Sequence, residues 1–343
     1  MTSTNAPVEY TGNLAANGGY IFQLSDRVTR TPVRFTNRYG IQIAADLYRA
    51  KDLDETARHK ALVVGPPYGG VKEQGPGIYA NELAQRGFVA LAIDPSYNGE
   101  SGGTPRHVSS PEIFAEDFSA GVDFLGTLSY VDREKIGGVG ICGSGGFLLA
   151  QAQIDPRIKA VVTSAMYDIN GVARDGWFYQ GTEADRRAAL EAVAEARWAD
   201  VDAGMSALNQ AACFPEEMPA EGPNPITREF YEFYVEERGH HPRSIGGFTT
   251  TSAPTHINFG ALRSLNEITP RPVLVITGDV AHSKWFSDIV FEQLAEPKEL
   301  VVVPGARHID LYDRVDLIPF DKLEQFFTDA LDGVEVKQAL PVA

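Results

Sequence analysis

The stretch Ile136–Leu149, Ile-Gly-Gly-Val-Gly-Ile-Cys-Gly-Ser-Gly-Gly-Phe-Leu-Leu, contains the junction that decides how the chain is read. An apolar run meets a cluster of glycines around a cysteine and then continues as an apolar helix. Gly140 and Ser144 flank Cys142 two residues away on either side. Such spacing suits a sharp strand-to-helix turn that lifts a nucleophile out of a sheet and admits only small neighbours. Counting from the strand selects Cys142 over Ser144, because Val139-Gly140 ends the apolar run and the reactive position falls two residues past Gly140. The N-terminus of the following helix favours a thiolate there through its dipole and free N–H groups. The plainer reading of any such thiol is a buried, inert side chain, and Cys213 keeps that reading.

The same residues have a rival meaning. Gly138-Val139-Gly140-Ile141-Cys142-Gly143 matches G-x-G-x-x-G, and an acid, Asp168, follows the next strand, as in a dinucleotide-binding turn. Three features count against it. Earlier buried strands precede the turn, whereas a dinucleotide unit ordinarily opens its domain. The glycine run continues through Gly145 and Gly146, as close packing of a nucleophile turn requires. A distal Gly-Ala-Arg-His follows the last strand, where a nucleophile needs its histidine. A dinucleotide-dependent oxidoreductase therefore stands second, and a non-catalytic protein of the same fold third.

Composition sets the frame. At 343 residues, 43% hydrophobic and 22% charged, the chain is an ordinary globular protein with an extensive core. A net charge of −16 repels phosphate and disfavours nucleic acid and anionic membranes as partners. Two cysteines make neither a disulfide framework nor a zinc site, so no metal is expected. The opening MTSTNAPVEYTGNLAANGG shows no secretory signal, and no apolar run is long enough to span a membrane. These readings place the chain in the cytoplasm.

Residues 1–30 are polar and Gly/Asn-rich and read as an extended arm. Val33–Arg38 and Ile41–Arg49 read as a hairpin around Tyr39–Gly40. Continuous apolar runs at Ala61–Val64, Phe88–Ile93, Ile136–Cys142, Ile158–Ser164, Val273–Thr277 and Leu300–Val303 read as strands buried on both faces. Helical stretches at Gly77–Arg86, Pro111–Leu128, Gly145–Gln153, Ser283–Leu294 and Leu317–Leu331 lie between or after them. The alternation predicts an α/β fold with a mostly parallel, doubly wound sheet. One segment of roughly 100 residues breaks the rhythm and is far longer than an ordinary connection. It is Trp/Tyr/Ala/Glu-rich, helical at Glu183–Trp198 and Thr227–Arg238, with Pro-rich joints at 215–226. We read residues 169–267 as a helical lid inserted after strand 6, residues 31–168 and 268–334 as the core, and 335–343 as a tail.

His308 lies just past the last strand, where the base belongs in a nucleophile–acid–histidine order. Asp279 is the carboxylate directly at the end of the seventh strand and is the chosen partner of His308. The acid ordinarily sits about three residues past the strand-end glycine, where this chain has Ala281, so Asp168 is kept as the alternative acid. Two backbone donors are needed for an oxyanion. Gly143 supplies one, and Tyr68 the other, as the first residue with an N–H after Pro66-Pro67. Trp177, Phe178, Tyr179 and His282 are candidates for the pocket wall.

The stretches 65–94 (GPPYGGVKEQGPGIYANELAQRGFVALAID), 98–106 (NGESGGTPR), 131–146 (VDREKIGGVGICGSGG), 155–168 (DPRIKAVVTSAMYD), 281–288 (AHSKWFSD) and 297–313 (PKELVVVPGARHIDLYD) extend the reading, with YVEERGHHPRS at Tyr234–Ser244. Together they resemble the dienelactone-hydrolase-like α/β-hydrolases, a group that includes many bacterial members and the fungal polyketide transferases. The resemblance implies the α/β-hydrolase fold and a Cys-His-Asp acyl-transfer site on Cys142 and His308. Gly143 and Phe147 depart from the pattern, which has Ala and Tyr there. The expected activity is a cofactor-free, cysteine-dependent hydrolase or acyltransferase whose partner is a small-molecule ester, lactone or thioester. A homodimer is the expected assembly.

Overall fold

In the computed structural model, residues 13–210 and 224–334 are described. Cys213, most of the Pro-rich joint, the first part of the arm and the tail lie outside these residues. The strands are β1 (Val28–Thr36), β2 (Gln42–Ala50), β3 (His59–Gly65), β4 (Val89–Ile93), β5 (Val131–Ile141), β6 (Val161–Ser164), β7 (Leu208–Gln210), β8 (Gly247–Thr249), β9 (Val273–Gly278) and β10 (Lys298–Val303). Eight of them form one sheet in the order β1-β2-β4-β3-β5-β6-β9-β10. The hairpin β1–β2 is antiparallel, as is the β2–β4 pair, and all other neighbours are parallel. The predicted doubly wound α/β architecture is thus observed. The hairpin begins at Val28, five residues earlier than the alternation suggested, so the end of the expected arm is sheet.

Strand order positions the site. The chain runs outward from β3 to β4 and then returns to β5 on the other side of β3, which makes a switch point where ligands bind in such sheets. Register brings Gly65, at the end of β3, opposite Gly140 near the end of β5. The loops leaving these two strands are therefore neighbours. Helices Gly75–Gln85, Pro111–Leu125, Gly143–Ala152, Lys284–Gln293 and Phe320–Asp332 cover the sheet. In the last of them Leu323, Phe326, Phe327 and Leu331 form the buried stripe of an amphipathic helix. The glycines of β5 answer that packing. A Cβ on Gly137 would lie 2.9 Å from the Phe327 ring, and one on Gly138 would lie 2.8 Å from Leu148. At these two positions the covering is so close that a side chain would force its neighbours to shift.

Between β6 and β9 the chain leaves the sheet and forms helices Ile169–Asp175, Glu183–Ala203, Pro225–Tyr234 and Ala253–Asn258 with short 3-10 turns. Two features here were not read from the sequence. The antiparallel pair β7–β8 joins two three-residue strands, too short to show a period. Helix Glu183–Ala203 runs longer than expected, held by a Thr182–Asp185 capping box at one end and by Gly204, at φ 66°, at the other. No residue of that helix is buried. Helix Pro225–Tyr234, in contrast, buries Glu229, Phe230, Phe233 and Tyr234 toward the core. Among the described residues, no helix is long and apolar enough to cross a membrane.

Candidate active site

Cys142 stands between β5 and helix Gly143–Ala152 with φ 54° and ψ −119°. A non-glycine residue in this region costs on the order of 1–3 kcal/mol and persists only where its surroundings hold it. Three backbone hydrogen bonds do so. The Cys142 N–H donates to the Ser164 carbonyl at 2.9 Å, and its carbonyl accepts from Gly145 at 2.9 Å and Tyr167 at 3.0 Å. The flanking small residues are required by contact. A Cβ on Gly140 would sit 2.4 Å from the Ser144 carbonyl oxygen, and one on Gly145 would sit 2.6 Å from the Met166 Cβ.

The loop after β3 closes over this turn. The Ser144 hydroxyl donates to the Pro66 carbonyl, which ties the head of the helix to the loop. Tyr68 then packs directly against Gly143: a Cβ there would be 2.8 Å from the Tyr68 Cβ and 3.4 Å from its backbone nitrogen. That approach explains why glycine replaces alanine at position 143. The Tyr68 ring stacks on Phe248 of β8, with centroids 4.2 Å apart. Its hydroxyl lies 2.7 Å from the Ser109 Oγ, which in turn lies 2.7 Å from the His256 Nε2. The His256 Nδ1 meets the Asn170 Oδ1 at 2.9 Å. Burial lowers His256 to about 4, so the ring is neutral and its Nδ1–H donates to Asn170. Phe147, the second departure, packs its ring against Phe114 at 5.5 Å and His256 at 6.2 Å.

His308 is fully buried. Its Nδ1 is 2.7 Å from the Ser283 Oγ and its Nε2 is 2.7 Å from the Tyr312 hydroxyl. The Tyr312 hydroxyl also hydrogen-bonds Cys142. Thiol, phenol and imidazole therefore form one hydrogen-bonded row. Burial, with a smaller contribution from neighbouring His282, holds His308 well below the usual histidine range. Burial and the nearby Cys142 push Tyr312 well above the usual phenol range. Such a row can carry a proton from sulfur to the Nε2 by a concerted shift through the phenol.

Neither carboxylate chosen from the sequence meets His308. Asp279 is exposed and accepts the Gly305 N–H at 2.6 Å, so it shapes the turn before the histidine. Asp168 accepts from the Gly171 N–H at 3.0 Å and the Tyr179 hydroxyl at 2.7 Å, capping helix Ile169–Asp175. The reason is offset. Asp279 directly follows Gly278 and stays at the sheet end, whereas the loop reaches His308 only at Ser283. Trp177 lies 5.7 Å from Tyr167, whose ring is 5.0 Å from His308. Trp177 and Phe178 are partly exposed at the rim, and Tyr179 packs on Trp285 at 4.8 Å. His282 is the nearest of the four, its ring 4.6 Å from that of His308, and its Nδ1 donates to Glu229 at 2.9 Å.

Ser283, Tyr312 and Glu229 went unread in the sequence. Tyr312 had a usable signal, four residues after His308 and thus one helical turn away. For metal ions, Glu73, Asp94 and Glu100 form a carboxylate group compact enough to share a cation. The Lys72 ammonium already occupies it, touching Glu73 and lying 2.9 Å from Glu100 and 3.6 Å from Asp94.

Residues 74–318 match the Alpha/beta hydrolase family. The chain is 46% identical over 313 residues to PA2218 of Pseudomonas aeruginosa, covering 90% of this chain and 83% of that protein. The crystal structure of PA2218 superposes with a TM-score of 0.87 at 44% identity over 94% of this chain and all of that one. YcjY of Escherichia coli is 38% identical over 284 residues, 82% of this chain and 92% of its own length. The structure of GrgF from a Penicillium species, at 22% identity, shares the fold with a TM-score of 0.71 over 89% of this chain and 98% of that one. Strand order, the turn at Cys142 and these matches agree: the chain belongs to the alpha/beta hydrolase family.

Proposed function

We propose that the protein is a cysteine-dependent acyl-enzyme hydrolase of the dienelactone-hydrolase-like type, acting on an ester, lactone or thioester. One observation carries this reading: a thiol on a strained strand-to-helix turn, wired through Tyr312 to His308 and faced by the backbone of Tyr68 and Gly143. The Cys142 Sγ attacks the carbonyl carbon, and its proton passes through the Tyr312 hydroxyl to the His308 Nε2. The Gly143 and Tyr68 N–H groups take the developing oxyanion. Collapse expels the alcohol or thiol, which leaves with the proton returned from His308 through the Tyr312 hydroxyl, and an S-acyl Cys142 remains. Water, losing a proton through the Tyr312 hydroxyl to His308, then attacks that thioester. The acid is released, and the sulfur recovers its proton.

Acyl transfer is the second outcome, with an alcohol or amine in place of water. It is favoured by the burial of Cys142 and His308, which limits water at the acyl group. GrgF, which shares the fold, is named a polyketide transferase, and a 29%-identical match over 39% of the chain is named a thiohydrolase. The dinucleotide reading loses ground on a contact: Tyr68 packs against Gly143, where a pyrophosphate would need open backbone.

The test is intact mass after incubation with a panel of short-chain p-nitrophenyl esters and acyl thioesters. A mass gain equal to the acyl group, mapped to Cys142 and absent in Cys142→Ala, is the expected result, with turnover falling at least 10³-fold. Turnover at the wild-type rate in Cys142→Ala would refute the nucleophile.

A further inference from the structure

Building on the Cys142–His308 reading, we propose that Glu229 is the positioning carboxylate of this site, and that a residue between β6 and β9 thereby completes the base. Glu229 sits on helix Pro225–Tyr234 and is buried. One of its oxygens accepts the His282 Nδ1–H at 2.9 Å, and the other accepts the Ile309 N–H at 2.9 Å. These two contacts fall on the two core loops that fix His308. Ile309 is the residue next to His308 in the chain. His282 directly precedes Ser283, whose hydroxyl engages the His308 Nδ1 at 2.7 Å. A single side chain of the insert thus clamps both loops one residue away from the imidazole.

The contact is not isolated. Phe230, next on the helix, packs its ring 5.5 Å from both His282 and His308. Arg307 pairs with Glu232 at 2.8 Å, and Arg238 pairs with Asp310 at 2.9 Å and Asp313 at 2.6 Å. The segment 307–313, which carries both His308 and Tyr312, is therefore fastened to the insert along its length.

The chemistry fits a missing acid. In a triad the carboxylate orients the imidazole and offsets the charge it gains, without taking the proton. Here hydroxyls occupy both ring nitrogens of His308, and no carboxylate among the described residues is shown on either. Glu229 supplies negative charge one ring away, through a histidine whose tilted ring lies 4.6 Å from that of His308. Its bond fixes His282 with the proton on Nδ1. The His282 Nε2 is buried with no hydrogen-bond partner, so the ring is held by Glu229 and packing alone.

The experiment compares Glu229→Gln, Glu229→Asp and wild type on one p-nitrophenyl ester, with kcat, KM and thermal melts measured for each. Cys142→Ala runs alongside. Glu229→Gln, which keeps shape but not charge, is expected to lower kcat about 10- to 100-fold with KM within about threefold, since the carboxylate acts through another group. Glu229→Asp is expected to recover at least half of that loss on a logarithmic scale. Wild-type kcat in Glu229→Gln, with Cys142→Ala inactive, overturns the role of Glu229 and leaves the thiol reading standing. Wild-type turnover in Cys142→Ala overturns the thiol reading itself. A kcat loss that Asp does not recover and that tracks the fall in Tm marks a packing role and also overturns the proposal.

Discussion

Gly143→Ala is the most demanding small change the site allows. The added Cβ would come to 2.8 Å from the Tyr68 Cβ and 3.1 Å from the Ile169 Cγ1. Carbon pairs rest at about 3.5–4.0 Å, so Tyr68 must retreat by roughly 0.7–1.2 Å. It has little room, because its ring is stacked on Phe248 at 4.2 Å and its hydroxyl is held by Ser109 at 2.7 Å. Part of the strain therefore falls on the loop backbone, whose N–H must stay about 2.7–3.1 Å from an oxyanion to be useful. Loss of one such donor costs about 10²–10³ in kcat, and overpacking adds about 1–3 kcal/mol of destabilisation. The assay is kcat on a p-nitrophenyl ester, with the acyl-enzyme followed by intact mass to show that Cys142 still acylates, only more slowly. A Gly143→Ala enzyme with lowered Tm and wild-type kcat would refute the reasoning, because the clash would then have relaxed without moving a catalytic donor.

Asp279→Ala is expected to change kcat by less than about threefold and stability by about 1 kcal/mol, since it removes one exposed hydrogen bond to Gly305. A 10³-fold loss would return Asp279 to the role of acid. For pH, an unfolded chain takes a proton on histidine near the ordinary value of about 6.5, whereas buried His256 resists until about 4. Its contribution to stability is therefore whole above about pH 6.5 and is lost as pH falls from there to about 4, on the order of 3 kcal/mol. Buried Asp94 and Asp117, each raised to about 7, act in the opposite direction over part of this range. The difference in unfolding free energy between wild type and His256→Gln, measured by urea melts at pH 7 and pH 4, isolates the histidine. A difference independent of pH would contradict the shift.

Much of the fold was legible because its demands are local. Gly138 and Gly140 are hemmed in by Leu148, Ser144 and Gly145 of the helix that follows at once, and such constraints leave glycines in the sequence. Buried parallel strands likewise declare themselves as unbroken apolar runs. Cys142 was readable as a position on that turn. The contact of Glu229 with the loop that carries His308 was not, because Glu229 lies 80 residues upstream of Ile309, and no period or spacing links the two. Asp279 was chosen for its nearness to a strand end, yet a loop can spend several residues before it turns inward. Tyr312 stood in plain view, but a tyrosine among apolar residues reads first as core.

The burial of Cys142 has a consequence for how its reactivity is measured. Cys142 is 4% exposed, so bulk reagents reach it only through fluctuations that open its surroundings. Peroxide, alkylating agents and substrate then compete for the same brief openings. When closing is faster than reaction, the observed rate scales with the open fraction, and when closing is slower it equals the opening rate whatever the reagent. Two alkylators of very different intrinsic speed that modify Cys142 equally fast would time the opening rather than the thiol. The same shelter slows oxidation of Cys142 to sulfenic acid.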